Sequence, residues 1–326
     1  MKVSYHVSHE QFSPGELLVL VQRAEQAAFD AAFSSDHFNP WAPVQGHSGF
    51  AWSWLGAALQ ATQHLTFSAI TVPGGWRYNP AVLAQAIATL GAMFPERLPW
   101  VALGSGQLLN EHIVGAHWPT KRQRNTRLHE AAHIMKQLLA GETVTYCGQV
   151  TVEDAKIWSR PTTATRLVGA ATSIETAKWL GGWSDGLLTT VDSLEKARRV
   201  IDAFRENGGA GKPVHLKLDL SWAETEEEAL HQAHSQWRFN KLSGDINWEI
   251  RTPEQFEAAT QHMRREDMRG LMLISSDLDR IADYVLACRE LGAESLDLHN
   301  VGTNQRQFIE ACGEQILPRL RKSACA

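Results

Sequence analysis

The sequence has no long run of lysines and arginines in its 326 residues, and its formal charge is -5 at pH 7. Phosphodiester backbones and anionic membranes are gripped by clustered cations, so neither a nucleic acid nor a membrane is expected as a partner. The four cysteines, Cys147, Cys288, Cys312 and Cys325, contain no CxxC pair. A chain this long needs no disulfide staples, which makes reduced thiols and a cytoplasmic protein the expectation. Met1-Lys2 leads directly into the alternating Val3-Ser4-Tyr5-His6-Val7, with no apolar core of a signal peptide. No GxGxxG opens the first strand-to-helix turn, which counts against a doubly wound dinucleotide fold. One absence is local: between Asp36 and Arg77 there is no Asp, Glu, Lys or Arg. Asn39, Gln45, His47, Gln60, Gln63 and His64 interrupt that stretch, so it reads as protein interior and not as a membrane span. Trp41, Trp52, Trp54 and Trp76, of the chain's 12 tryptophans, crowd into it. Aromatic faces of this kind suit a flat ligand, although core packing accounts for most of them.

What is present alternates. Strand patterns are expected at 3–7, 31–35, 65–71, 98–104, 166–171, 185–190, 214–222 and 295–301. Helical patterns are expected at 14–28, 50–61, 80–93, 120–140, 174–180, 193–207, 224–237, 277–291 and 305–320, with Pro14 and Pro80 suited to helix starts. The pattern predicts an α/β chain forming one (β/α)8 TIM barrel over residues 1–326. A hairpin insertion around Cys147-Gly148 follows the fourth strand, and an irregular polar insertion over 239–268 follows the seventh.

In such a barrel the functional side chains lie at the C-terminal ends of the strands. That rule selects Asp36 and His37, Thr71 and Val72, Ser105 to Asn110, Thr172 and Ser173, Thr189 and Thr190, and His299 and Asn300. A histidine beside a carboxylate is held in one tautomer and takes a proton near neutral pH, which makes Asp36-His37 the strongest chemistry. Gly104-Ser105-Gly106-Gln107-Leu108-Leu109-Asn110-Glu111 offers close backbone approach and neutral donors, and a tight turn would read the same way. Thr172-Ser173 precedes a helix start, suited to a phosphate or to an ordinary cap. The literal HExxH at His129-Glu130-Ala131-Ala132-His133 matches a zinc pattern. Its charged neighbours Lys121, Arg122, Arg124, Arg127 and Lys136 place it on a solvated helix instead, and no metal is expected.

Several segments resemble one family in the same order along nearly the whole chain. They are Ser35-Asp36-His37-Phe38-Asn39-Pro40-Trp41, Arg77-Tyr78-Asn79-Pro80-Ala81-Val82, the Gly104 to Glu111 turn, and Gln305-Arg306 with Phe308, closing on Pro318-Arg319-Leu320. They are similar to the luciferase-like flavin- and deazaflavin-dependent oxidoreductases, and within them to the F420-dependent glucose-6-phosphate dehydrogenases. The resemblance implies a (β/α)8 barrel, usually in a homodimer, with the isoalloxazine-type ring at the C-terminal face. It implies His37 as acid/base for hydride transfer, with Asp36 near the cofactor and Trp41 flanking substrate and ring. Ser105, Gly106 and Asn110 would line the cofactor, Thr172 and Ser173 would meet its phosphate, and a non-proline cis peptide would fall near Ala69-Ile70. Gln107 stands where the sugar dehydrogenases carry a glutamate acid, and an amide has no proton to give at neutral pH. Ser193 lies near the place of their phosphate-gripping lysine, and Thr172-Ser173 replaces a glycine pair. These departures argue against glucose 6-phosphate and leave FMN and F420 both open. The expected activity is hydride transfer with a small organic substrate. The alternatives are an FMN monooxygenase fed by a separate flavin reductase, a non-catalytic flavin-binding protein, and a zinc hydrolase.

Overall fold

The computed structural model describes residues 1–242 and 244–322. Cys325, expected to be a reduced thiol, lies outside them, as does Ser243 within the insertion. The strands are β1 (Lys2–Val7), β2 (Ala31–Ser34), β3 (Thr66–Thr71), β4 (Trp100–Leu103), β5 (Val144–Cys147), β6 (Thr151–Ala155), β7 (Arg166–Ala170), β8 (Leu187–Thr190), β9 (Val214–Trp222), β10 (Leu273–Ser275) and β11 (Ser295–Asn300). One sheet runs β10-β9-β11-β1-β2-β3-β4-β7-β8, and β8 pairs back onto β9. That last pairing closes eight parallel strands into a barrel and leaves β10 outside the ring. β9 is long enough to serve both neighbours: Val214 to Lys217 pairs with β8, and Leu220 to Trp222 pairs with β10. β5 and β6 form a separate antiparallel hairpin.

Helices cover the outside, and their starts are written in the sequence. Ser13 and Asn79 cap the helices Pro14–Gln26 and Pro80–Met93, each with proline in its first turn. Thr120 and Gln123 form a reciprocal capping box on Lys121–Ala140. Alternate strand residues turn outward to these helices and inward to the lumen. Inside, Phe33, Trp100, Ala102, Val168 and Leu188 form an apolar half with Ile70 and Ala170. The opposite half, from β1, β9 and β11, is polar: His6 Nδ1 lies 2.7 Å from Asp297 Oδ2, and the rings of His6 and His299 are 3.9 Å apart. His215 bridges the halves, stacked on Trp100 at 4.1 Å with Nδ1 against Ser295 Oγ at 2.8 Å. Below its mouth the lumen is filled by these side chains.

Several expectations are corrected here. Among the described residues no peptide bond is cis, so the one expected near Ala69-Ile70 is absent. Ala69 pairs with Ser34 and Val101, and Ile70 pairs with Ala102, in an unbroken parallel ladder. The stretch at 239–268 contains a regular helix, Pro253–Thr260, and β10 follows it. Three residues are too few for β10 to show alternation. Of the thiols, Cys147 is exposed, and Cys288 and Cys312 are buried and unpaired.

Buried histidines set an acid limit on this fold. Burial, with Arg166 as a lesser cause, pushes His215 down to about 3, and burial likewise takes His9 to about 4. In the unfolded chain both take up protons near pH 6.5. The stability of keeping them neutral is therefore complete above about pH 6.5 and is lost as pH falls toward the folded values. Denaturant unfolding at about pH 7 and pH 5 is expected to show lower stability at the lower pH, with a smaller drop in His215→Gln. Equal stability at the two values would contradict this.

Candidate active site

Val7 and Ser34, the last residues of β1 and β2, are register partners. Three positions beyond each come Glu10 and His37, and this equal overhang on adjacent parallel strands brings their side chains together. His37 Nδ1 lies 2.5 Å from Glu10 Oε1. The other carboxylate oxygen accepts from Ser8 Oγ and Ser35 Oγ, each at 3.0 Å. Burial opposes ionisation of Glu10, but the charge and hydrogen bond of His37 prevail and hold the carboxyl well below its usual range. Glu10 thus faces the Nδ1 edge of the ring, and no partner is seen at Nε2 among the described residues. Its side chain is 18% exposed against 3% for Glu10, so the imidazole is the open end of the pair.

The loop bearing His37 is fastened to the turn after β4. Phe38 N and Asn39 N donate to Asn110 Oδ1 at 2.9 and 3.1 Å, and Asn39 Nδ2 donates to the Leu109 carbonyl at 2.7 Å. Asn110 Nδ2 in turn donates to Gln107 Oε1 at 3.1 Å. Asn110 is therefore a buried latch between the two loops. Trp41 closes the far side of His37, with ring centroids 5.5 Å apart, and is itself packed edge-on by Phe256 at 5.4 Å and Trp237 at 6.3 Å. Its backbone N–H donates to Gln45 Oε1 at 2.8 Å, and Gln45 donates onward to the Gln236 carbonyl.

Asp36 does not hold His37. Consecutive residues at a strand end point to opposite sides, and Asp36 faces Thr71, Tyr78 and Arg77. Its Oδ2 accepts from Thr71 Oγ1 at 2.6 Å, and its Oδ1 accepts from Tyr78 Oη at 2.8 Å and Arg77 Nη1 at 3.3 Å. Arg77 Nε also donates to Glu111 Oε1 at 3.2 Å, which ties the turn after β4 to the same hub. Burial raises the Glu111 carboxyl, and Arg77 pulls against that rise. Asp36 was expected beside His37, but the carboxylate there is Glu10, and Asp36 anchors a buried ion network behind the loop.

Around the mouth, Ile70, Gly104, Ser105, Gln107 and Ala170 are half-buried, whereas Ala69 is buried and turned away. Gly106 has φ +92°, and a Cβ there would stand 3.2 Å from both Trp118 and Val72, so only glycine fits this turn. The Gln107 amide nitrogen has no partner among the described residues, while Ser105 Oγ accepts from Lys121 Nζ at 2.8 Å. Ser173 caps the helix Ile174–Gly181, accepting from Thr176 N at 3.3 Å, and Thr172 is exposed beside it. A flat ring cofactor needs an apolar wall, close backbone and a free donor at its edge. Ile70, Gly104 to Gly106 and the Gln107 amide supply these, and the Thr172-Ser173 helix start suits a phosphate. The residues fit such a group.

The HExxH segment serves the outer layer. Glu130 Oε2 accepts from Gln149 N at 2.7 Å and Val150 N at 3.3 Å, fixing the turn of the β5–β6 hairpin. The His129 ring packs on Trp183 at 5.4 Å. Among the described residues no three His, Cys, Asp or Glu side chains are grouped to hold a metal. Thr189 and Asn300 are buried, and Asn300 Oδ1 accepts from Trp222 N at 2.8 Å, a structural bond between barrel strands.

Comparison with known proteins gives this geometry its context. Residues 1–295 match the luciferase-like monooxygenase family. The chain belongs to that family. The F420-dependent glucose-6-phosphate dehydrogenase of Microbacterium testaceum (strain StLB037) is 31% identical to it over 331 residues, covering 99% of this chain and 98% of that protein. The enzyme of the same name from Mycolicibacterium gilvum (strain PYR-GCK) is 32% identical over 337 residues, again 99% and 98% of the two chains. A solved F420-dependent secondary alcohol dehydrogenase, in complex with an F420-acetone adduct, matches with a TM-score of 0.90 at 26% identity, covering 98% of this chain and 99% of that one.

Within this luciferase-like barrel, sequence reasoning missed Glu10 and gave Arg77 and Tyr78 no role. Glu10 had a signal, because it follows the first strand and so lies on the functional face. Replacing it tests the pairing. Glu10→Gln removes the charge that stabilises a protonated His37, so turnover is expected to fall while cofactor affinity stays within about twofold, as for a group acting on proton transfer alone. A variant with wild-type turnover would remove Glu10 from the reaction.

Proposed function

We propose that this luciferase-like protein is an F420-dependent oxidoreductase interconverting a small alcohol and its carbonyl compound, with His37 as the acid/base. The observation that carries this reading is the His37–Glu10 contact at the barrel mouth, with Nδ1 2.5 Å from Glu10 Oε1, on a loop fastened to the Gln107 turn through Asn110. The cofactor choice is supported by relatives, since the two dehydrogenases and the solved alcohol dehydrogenase named above are all F420-dependent.

Ile70, the backbone of Gly104 to Gly106 and the Gln107 amide would hold a deazaflavin, which would supply the hydride acceptor or donor. In alcohol oxidation His37 Nε2 would take the hydroxyl proton while the C–H hydrogen left as hydride to such a bound acceptor, and the C–O bond would become a carbonyl. Glu10 stabilises the imidazolium that forms. Asn110 holds the His37 loop in register with the Gln107 turn, and Trp41 walls the reacting groups from water. Reduction of a ketone runs the same steps backward.

Gln107 favours one second reading. Its amide can donate a hydrogen bond but supplies no acid, which also suits reduced FMN and the monooxygenase chemistry for which the family is named. Side-by-side titration with F420 and FMN, followed by ring absorbance and fluorescence, separates the two. F420 is expected to bind tightly. Preference for FMN, with oxygen consumed when FMNH2 is supplied, moves the assignment to the second reading, and binding of neither overturns both. With an alcohol that the wild type oxidises, His37→Ala is expected to keep cofactor affinity and lose roughly 10²–10⁴-fold in turnover, the range of a general base.

We also propose a homodimer and a cytoplasmic location. Ser53, Ala57 and Gln60 on one helix, with Val82, Gln85 and Thr89 on the next, are exposed on neighbouring helices that carry no charge. A face without charge suits a second copy of the chain. Light scattering is expected to give twice the chain mass, and Ala57→Glu to shift it toward one; a wild-type monomer would end this proposal. The location is supported by the unpaired thiols of Cys147, Cys288 and Cys312.

A further inference from the structure

A reactive side chain on a loop is only as well placed as the two peptide groups that flank its Cα. For His37 both are pinned. The peptide after it is held at each end: its carbonyl accepts from Ser48 Oγ at 2.7 Å, and its N–H, that of Phe38, donates to Asn110 Oδ1 at 2.9 Å. The peptide before it is held from a different loop, where Arg77 Nη2 donates to the Asp36 carbonyl at 2.9 Å. The same guanidinium reaches Asp36 Oδ1 through Nη1 and Glu111 Oε1 through Nε. Glu111 is the chain neighbour of Asn110, and the backbone N–H groups of both donate to the Gln107 carbonyl at 3.1 Å.

These bonds close a ring. It runs from Asp36 through Arg77, Glu111 and Asn110 to Phe38 and back through His37, with the Gln107 turn fastened to its far side. A planar fork of fixed donors suits acceptors on two other loops at once, and an ammonium group carries no such geometry. Side-chain exposure is 6% for Arg77, 1% for Asp36 and 0% for Glu111, so water does not compete for these bonds. The two carboxylates share the guanidinium unequally. Asp36 also accepts from Thr71 and Tyr78, whereas Glu111 Oε2 is buried without a hydrogen-bond partner among the described residues. Burial raises the Glu111 carboxyl, in keeping with that weaker share. We propose that Arg77 is the positioning residue of His37, fixing the acid/base against the Gln107 turn at the reach that hydride transfer needs. The inference rests on the acid/base role assigned to His37. Glu10 and Trp41 contact the imidazole itself; Arg77 sets where its Cα stands, and acts through it.

The test is the rate of a single turnover, F420 reduction by an alcohol that the wild type oxidises, in full-length protein saturated with both and followed by ring absorbance. Arg77→Met is expected to lose roughly 10²-fold, the scale of a small misplacement of a reacting group. In the His37→Ala background the same substitution is expected to lower the rate by less than about fivefold, because groups that act as one unit are not lost twice. General destabilisation would lower both backgrounds alike, so equal losses would overturn the proposal, as would an Arg77→Met protein with the wild-type rate. If Arg77→Met does not fold, Glu111→Ala opens the ring on its other side and leaves the Arg77–Asp36 pair in place, and the same contrast between the two backgrounds is expected. Glu111→Gln, whose amide oxygen still accepts from Arg77 Nε, is expected to keep more of the rate than Glu111→Ala, and the reverse order would also overturn the proposal. A His37→Ala protein with wild-type turnover removes the acid/base reading itself, whereas loss in His37→Ala with none in Arg77→Met removes only the role of Arg77.

Discussion

The contact between Glu10 and His37 is the constraint on which the site depends. It exists because two adjacent parallel strands end in step and each continues for three residues before its reactive side chain. The carboxylate, held by Ser8 and Ser35, fixes one nitrogen of the imidazole and leaves the other as a base. Burial makes the carboxylate costly to ionise, and the imidazole beside it is the largest of the influences that keep it charged, with a backbone hydrogen bond and His6 adding to it. Each member therefore depends on the other, and the pair is a unit of structure as well as of chemistry.

The barrel gives that unit its setting by dividing its interior. Phe33, Trp100, Val168 and Leu188 fill one half with apolar surface, and His6, Asp297, Asp219 and His299 fill the other with hydrogen-bonded charge. A ring lying over the mouth would meet Ile70 and Ala170 on the apolar side. A polar substrate would meet His37 on the polar side.

Much of the fold was legible because parallel strands buried on both faces read as short apolar runs, and proline and glycine punctuate the helices between them. β10 was not legible, since three residues show no period. His37 was legible from its place at a strand end. Its partner was not, because adjacency in sequence pointed to Asp36 whereas the pleat sends neighbours to opposite sides. Glu10 becomes visible only when β1 and β2 are placed in register. Lys217-Leu218-Asp219, charged residues alternating inside an otherwise apolar strand, was a signal that the lumen is polar there. The ion network on Arg77 had no local signal beyond an arginine that ends an uncharged stretch.

The central claim is that Glu10 holds the proton on Nδ1 of His37 and leaves Nε2 as the base. Nitrogen NMR of the labelled protein at a pH where the imidazole is neutral reads this directly, with His37→Asn identifying the signal. The account predicts a protonated Nδ1 and a bare Nε2, and loss of that preference in Glu10→Gln. A His37 protonated at Nε2, or one whose tautomer ignores the loss of Glu10, would contradict it.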